Sequence, residues 1–230
     1  MAKITRERFK TYQHVLDEFT IRTLYKLITQ GHFEGLIGPV STGKESNVFS
    51  AQAKTGYLIA KIYRLQTCDF NHMYDYIKYD PRYTSLKKQR RKVIFAWVQR
   101  EFRNLHKARE AGVRVPTPLT FINNVLVMEM IGTPAPKLKD QPPGKPGKFF
   151  EKTVSFMKKL YRSGLVHGDL SEYNILNLND SPVFIDFSHS TSPEGPGMEL
   201  IERDIRNVCH YFAKHTTVDE KMVRKEIIGK

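Results

Sequence analysis

The sequence predicts an α+β chain of two lobes with a cleft between them. Three observations carry this. Short apolar runs of strand length crowd residues 36–63, as LIGPVS, SNVFSAQ and YLIAKIY. Five prolines fall within residues 133–147 and mark a joint. Beyond the joint, apolar residues recur at helical spacing, interrupted by one small hairpin.

Residues 4–31 read as helix in two pieces, with Ile21, Leu24, Tyr25 and Ile28 on one face and Gly31 as a stop. The strands follow, with Thr55-Gly56 as turn residues. Residues 65–90 read as polar, aromatic and irregular, ending in the basic run KKQRRK at 87–92. A long helix over about 91–111 sets Ile94, Trp97, Val98, Phe102, Leu105 and Ala108 on one side. The strands TFIN and VLVMEMI flank Asn123-Asn124, a tight turn because Asn tolerates positive φ. After the joint come a helix through Phe150, Val154, Met157 and Tyr161, the segment HGDLSEYNIL, a hairpin through Asn179-Asp180 into PVFIDF, and a helix over about 198–214. The expected divisions are 1–31 N-terminal helices, 32–131 β-rich lobe, 132–147 hinge or linker, and 148–230 helical lobe.

At roughly 150 residues per domain, 230 residues make one domain or one two-lobed unit. An apolar share of 40% supplies a sizeable core, and no collagen, heptad or solenoid repeat is present. Cys68 and Cys209 read as reduced residues of a cytoplasmic protein, with one bridge between them as the alternative. No apolar leader or membrane-length run is expected, so no membrane partner is expected either. The net charge of +13 suggests a polyanionic partner such as nucleic acid, or ordinary basicity.

The strongest chemical signal is His167-Gly168-Asp169-Leu170-Ser171-Glu172-Tyr173-Asn174, followed by Asp186 in IDFS. Asp169 and Asn174 are spaced as in the catalytic loop H-R-D-L-x-x-x-N, and Asp186-Phe187-Ser188 stands where D-F-G would stand. Phosphoryl transfer needs a carboxylate for the acceptor hydroxyl and hard oxygen ligands for Mg²⁺. Asp169 is the candidate base, and Asn174 and Asp186 are the candidate metal ligands. A hairpin between NILNL and VFID is expected to bring the last two together.

Lys61 in YLIAKIYR matches the strand-borne phosphate lysine of V-A-I-K. Glu101 lies on the apolar stripe of its helix, and a buried carboxylate is costly unless paired, so Lys61 is its expected partner. Gly38 to Lys44 fits G-x-x-x-x-G-K, but Glu45 replaces the Ser or Thr that binds Mg²⁺, and strands follow where a helix is required. Ser41, Thr42, Gly43 and Lys44 read instead as a phosphate-facing turn between strands. Met128 to Ile131 ends the last strand as an adenine hinge would, with the Glu129 carbonyl and Ile131 amide as contacts. Asp204, also on an apolar stripe, is expected to anchor the backbone of the 167–174 loop. The run at 87–92, with Lys3, Arg6, Arg8 and Lys10, is either a solvated face or a contact for RNA phosphates.

Taken together, STGKESNVF, AKIYR, EFRNL, HGDLSEYNIL, IDFS and ERDIRN resemble the signatures of the RIO kinases, an atypical protein kinase family, in order from Ser41 to Asn207. STGKE with SNV resembles the Rio-one branch, and the compact chain is closest to a minimal archaeal-type member. The resemblance implies a two-lobed protein-kinase-like fold with a reduced C-terminal lobe and an N-terminal helical extension. It implies ATP with Mg²⁺ or Mn²⁺, serine/threonine kinase or ATPase activity, autophosphorylation, and a role in maturing the small ribosomal subunit, with pre-ribosomal particles as partner. On this reading Asp186 is also a transient phosphoryl acceptor, and Ser85 is a candidate autophosphorylation site by position.

Departures from ordinary kinases are visible. Gly168 replaces the arginine of H-R-D, and only 17 residues separate Asp186 from Asp204. Two rival readings stand beside the kinase. One is a small-molecule phosphotransferase of the aminoglycoside or choline kinase type, which shares H-G-D-L and the following Asn. The other is a ribosome-binding module gated by ATP.

Overall fold

The computed structural model describes residues 16–78 and 80–229. The first expected helical piece and the basic residues Lys3, Arg6, Arg8 and Lys10 lie outside them. The chain divides into two compact units. One runs to Phe102 and takes in Pro118–Met130; the other comprises Arg103–Thr117 and Ile131–Lys230.

The first unit pairs a helix with a sheet. Helix α1, Glu18–Thr29, starts where the Asp17 carboxylate accepts the Thr20 N–H at 2.9 Å. It buries Leu24, Leu27 and Ile28. Five antiparallel strands follow: β1 (Gly35–Thr42), β2 (Ser46–Ala53), β3 (Gly56–Tyr63), β4 (Pro118–Ile122) and β5 (Val125–Glu129), in the order β1-β2-β3-β5-β4. Strand β2 alternates strictly, burying Asn47, Phe49, Ala51 and Ala53. Phe49 and Ala51 join Ala60, Ile62, Val125 and Val127 in one core with the α1 leucines. Strand β3 is central and buried from Ile59 through Tyr63, and Lys61 is the one cation in that run. Edge strand β1 carries Pro39 and two shifts of register against β2.

The Asn123-Asn124 turn forms as expected, with Asn123 at φ +52°. Asn124 is buried and does more than turn the chain. Its amide donates to Thr20 Oγ1 at 2.9 Å and to the Tyr63 carbonyl at 2.8 Å, tying the hairpin to α1 and β3.

Residues 65–90 are irregular only in part: Phe70–Ile77 form helix α2, capped by Asp69, and Pro81–Tyr83 a 3-10 turn. The organising contact is an ion pair across a long sequence gap. Asp80 accepts from Arg100 at 3.2 Å and from Arg82 at 2.6 Å, and Arg100 is fully buried. Local patterning has no access to such a contact. Arg100 lies on the long helix α3, Arg90–Glu110, whose buried residues Ile94, Trp97, Val98, Leu105 and Ala108 match the expected stripe; Phe102 is only partly buried.

In the second unit the proline-rich segment is docked rather than a free linker. Leu138 is buried; its N–H donates to the Ile175 carbonyl at 2.8 Å and its carbonyl accepts from Tyr211 Oη at 2.9 Å. Pro146 already opens helix α4, Pro146–Arg162, because proline is tolerated in a first helical turn. Strands β6 (Ile175–Asn177) and β7 (Pro182–Phe184) form the expected hairpin, with Asn179 and Asp180 both at positive φ. Helix α5, Pro196–Phe212, packs with α4 through Phe212 against Phe149 and Phe150. A further helix, α6 (Glu220–Ile228), was not anticipated; it buries Val223 and Ile227 and pairs Arg224 with Glu202. Among the described residues both cysteines are free and buried, and no helix is long and apolar enough to cross a membrane.

Removing one partner of a buried ion pair is expensive. Asp80→Ala should lower the unfolding free energy by roughly 3 kcal/mol, read from urea titration. Arg82→Ala, at the more exposed end of the same cluster, should cost under about 1 kcal/mol.

Candidate active site

Each unit carries part of the expected chemistry. In the first, β-strand alternation puts Lys61 and Tyr63 on the same face of β3. Lys61 Nζ donates to Glu101 Oε1 at 2.7 Å and Tyr63 Oη donates to Glu101 Oε2 at 2.5 Å. Lys61 and Glu101 are both buried, so the pair compensates two charges that neither could keep alone. Glu101 is thereby fixed at both oxygens, and Lys61 is held at a set height on its strand. Tyr63 was missed in the sequence, although its position two residues beyond Lys61 was the available signal.

Ser41, Thr42, Gly43 and Lys44 are exposed, but Ser41 and Thr42 still belong to β1, paired with Val48 and Asn47; only Gly43 and Lys44 enter the turn to β2, closed by the Gly43 N–H donating to the Ser46 carbonyl at 2.9 Å. The chain continues as β2, with no helix opening at Lys44. The phosphate loop of strand–loop–helix NTPases is therefore ruled out. Glu129 ends β5 opposite Leu58, and Ile131 is buried, its carbonyl accepting the Ala135 N–H.

In the second unit, the loop around Asp169 is gripped from α5. Asp204 is completely buried; its Oδ2 accepts the Gly168 N–H and its Oδ1 the Leu170 N–H, both at 2.8 Å. Asn207 donates to the Leu170 carbonyl at 3.2 Å. The anchoring expected of Asp204 is present. Burial pushes its carboxyl up to about 7, against the pull of the two amide donors and Arg203. Arg203 donates to the Gly168 carbonyl and lies 4.0 Å from Asp169 Oδ1.

Gly168 is dictated by space. It sits at φ +82°, and a β-carbon there would lie 2.7 Å from the His189 carbonyl oxygen. An arginine at this position is excluded by the backbone itself. His167 is buried, with Nε2 3.0 Å from the Ile185 carbonyl while Nδ1 accepts the Asp169 N–H at 3.3 Å. This pattern is that of a neutral ring, and burial pushes its pKa down to about 4.

Asn174 Nδ2 donates to the Asp169 carbonyl at 2.8 Å and to Asp169 Oδ2 at 3.0 Å. Its amide oxygen is thereby turned away as the remaining donor atom for a cation. The β6–β7 hairpin brings the Ile185 N–H to the Asn174 carbonyl at 3.0 Å, so Asp186 follows one residue after the contact. Asp186 adopts φ +64°, ψ 72°, and its Oδ1 accepts the Ser188 hydroxyl at 2.7 Å. An amide oxygen and a carboxylate are hard oxygen donors that fit Mg²⁺. Buried Asn104, also missed, donates to the Phe187 and Ser190 carbonyls at 3.2 and 3.0 Å and fixes the turn after Asp186. Its signal was a polar residue on the buried stripe of α3. Among the described residues no cluster of three or more His, Cys, Asp or Glu forms a metal site.

Comparison with known proteins spans both units. A family model described as RIO domain matches residues 47–226. The chain is 45% identical over 230 residues to the RIO-type serine/threonine-protein kinase Rio1 of Methanocaldococcus jannaschii, covering 97% of this chain and 79% of that protein. It is 41% identical over 213 residues to the protein of the same name from Haloferax volcanii, covering 90% and 73%. In fold it is similar to a crystal structure of the Rio2 kinase–ADP/Mg²⁺–phosphoaspartate complex from Chaetomium thermophilum. The TM-score is 0.68 at 20% identity, over 89% of this chain and 65% of that one.

Two expected outcomes follow. His167 binds a proton only near pH 4 when folded, whereas an unfolded histidine binds one near 6.5. Its contribution is therefore present above about 6.5 and is lost as pH falls toward 4. The stability penalty of His167→Asn should be largest at pH 7 and shrink at pH 5. Asp204 acts with opposite sign over the same window, so urea midpoints must be compared between variant and wild type at each pH. Gly168→Ala should lower turnover at least as much as it lowers thermal stability, because the clash falls on the residue before Asp169.

Proposed function

On the premise that this chain belongs to the RIO family, as its RIO domain match over residues 47–226 establishes, we propose that it transfers the γ-phosphoryl group of ATP to serine or threonine hydroxyls. The observation that carries the reading is the Asp169 loop, which Asp204 locks by two amides while Asn174 holds the Asp169 carboxylate. A carboxylate fixed in this way is poised to accept the proton of an attacking hydroxyl.

Each residue then has one task. Lys61, held by Glu101, neutralises nucleotide phosphate charge. Ser41, Thr42, Gly43 and Lys44 offer backbone and side-chain donors to the phosphates. Glu129 and Ile131 offer a carbonyl and an amide to adenine. Asn174 and Asp186 would hold Mg²⁺, or Mn²⁺ in its place, which supplies charge neutralisation for the transferring group. Asp169 orients the acceptor oxygen and takes its proton as the O–P bond forms and ADP leaves.

A second activity has a specific motive, because the solved Rio2 complex contains phosphoaspartate. The equivalent event here would place the phosphoryl group on Asp186, with release of ADP, and water would then free phosphate, making the chain an ATPase. The charge of +13 supports a polyanionic partner, and we take a pre-ribosomal small subunit in the cytoplasm as that partner.

The test follows γ-labelled ATP. Wild type should label protein serine or threonine, and Asp169→Asn should lose at least about 100-fold of that transfer while nucleotide affinity stays within about threefold. Asp186→Ala should instead weaken Mg²⁺-dependent nucleotide binding. Hydroxylamine-labile label in wild type, absent from Asp186→Asn, would identify the aspartyl route; label on an added small alcohol would overturn the protein kinase reading.

A further inference from the structure

The catalytic loop of this chain cannot carry the arginine that ordinarily precedes the catalytic aspartate, since Gly168 has neither the φ nor the space for a side chain. An arginine nevertheless reaches this loop from another element. We propose that Arg203 of α5 is the positioning residue for Asp169, supplying from a helix the guanidinium that the loop excludes. The inference rests on the reading of Asp169 as the base and extends it to a second side chain.

Three observations converge. Arg203 donates to the carbonyl of Gly168, the residue immediately before Asp169. The same guanidinium nitrogen lies 4.0 Å from Asp169 Oδ1, while Asn174 occupies Oδ2 at 3.0 Å. The next residue along α5, Asp204, takes the two N–H groups on either side of Asp169. Adjacent helix positions therefore grip one loop by complementary groups: a carboxylate on its amides, a guanidinium on its carbonyl and its acid.

The distances assign the division of labour. Asn174 at 3.0 Å fixes the rotation of the Asp169 carboxylate. Arg203 at 4.0 Å is too far for a hydrogen bond to Oδ1, so that oxygen keeps its lone pairs for a substrate hydroxyl. The guanidinium is near enough to offset the repulsion between Asp169 and the incoming phosphates. Its side chain is 45% exposed, which leaves other N–H groups open to solvent and to substrate.

The test uses the full chain and single-turnover transfer from γ-labelled ATP with Mg²⁺. Arg203→Gln should slow transfer about 10- to 100-fold, with the KM for ATP changed less than about twofold. Arg203→Lys should recover part of the rate, and added guanidinium ion should partly rescue Arg203→Ala. In an Asp169→Asn background, Arg203→Gln should cost less than about twofold more, because the group it positions is gone. Circular dichroism and thermal midpoints of each variant exclude loss of fold, and the Lys variant carries the test should Gln not fold. The inference is overturned by a Gln variant at wild-type rate, by an undiminished loss in the Asp169→Asn background, or by a rate loss that only tracks a fall in thermal midpoint. If Asp169→Asn itself turns over at the wild-type rate, the base assignment fails first and this one with it; if it is inactive while Arg203→Gln is normal, only this one fails.

Discussion

The conformation of the loop from His167 to Asn174 depends on one buried carboxylate. Asp204 has no solvent to satisfy it, so its two oxygens must find donors in the protein. They find the N–H groups of Gly168 and Leu170, and the backbone between those residues presents Asp169 outward. The positive φ of Gly168, the Asn207 contact to the Leu170 carbonyl and the Ser190 hydroxyl on the His167 carbonyl all presuppose this grip. Burial raises the Asp204 carboxyl while the amides oppose that rise, so the anchor is a balance of two large effects of opposite sign. An Asn here would supply one acceptor oxygen where two are used.

The Lys61–Glu101 pair shows the same logic in the other unit. A charge buried in a sheet is tolerated because a second charge arrives from a helix, and Tyr63 satisfies the carboxylate oxygen that Lys61 leaves over. Both arrangements convert a desolvation penalty into positional certainty. Phosphoryl transfer draws its rate from placement and electrostatics, so certainty of position is what the chemistry needs.

Much of this was legible in the chain, for a physical reason. Strand alternation and helical stripes report which face is buried, and a charged residue on a buried face must have a partner. That argument found Glu101 and Asp204 from their place on apolar stripes, whereas Lys61 was found from its likeness to the strand lysine of V-A-I-K and joined to Glu101 by the need for a partner. It had no purchase on Asp80, which lies on no stripe, so the pair with Arg100 was not read. The helix at Phe70–Ile77 was read as irregular because its polar and aromatic composition hides the Met73–Ile77 spacing. Arg203 was passed over because it is half exposed, and exposure gives no hint of what a long side chain reaches. The docked proline-rich segment misled by composition: proline breaks regular structure but does not prevent Leu138 from burying and hydrogen-bonding both its backbone groups.

Strand β1 has a consequence for crowding. It is the outermost strand of its sheet, and a straight outer strand with unpaired amides recruits a second strand from any neighbouring chain. Pro39 has no amide to offer a neighbour, and two shifts of register break the even spacing that a partner would need. The turn at Gly43 and Lys44 extends directly from this strand. A blunted edge thus disfavours pairing of this sheet, edge to edge, with the sheet of another copy.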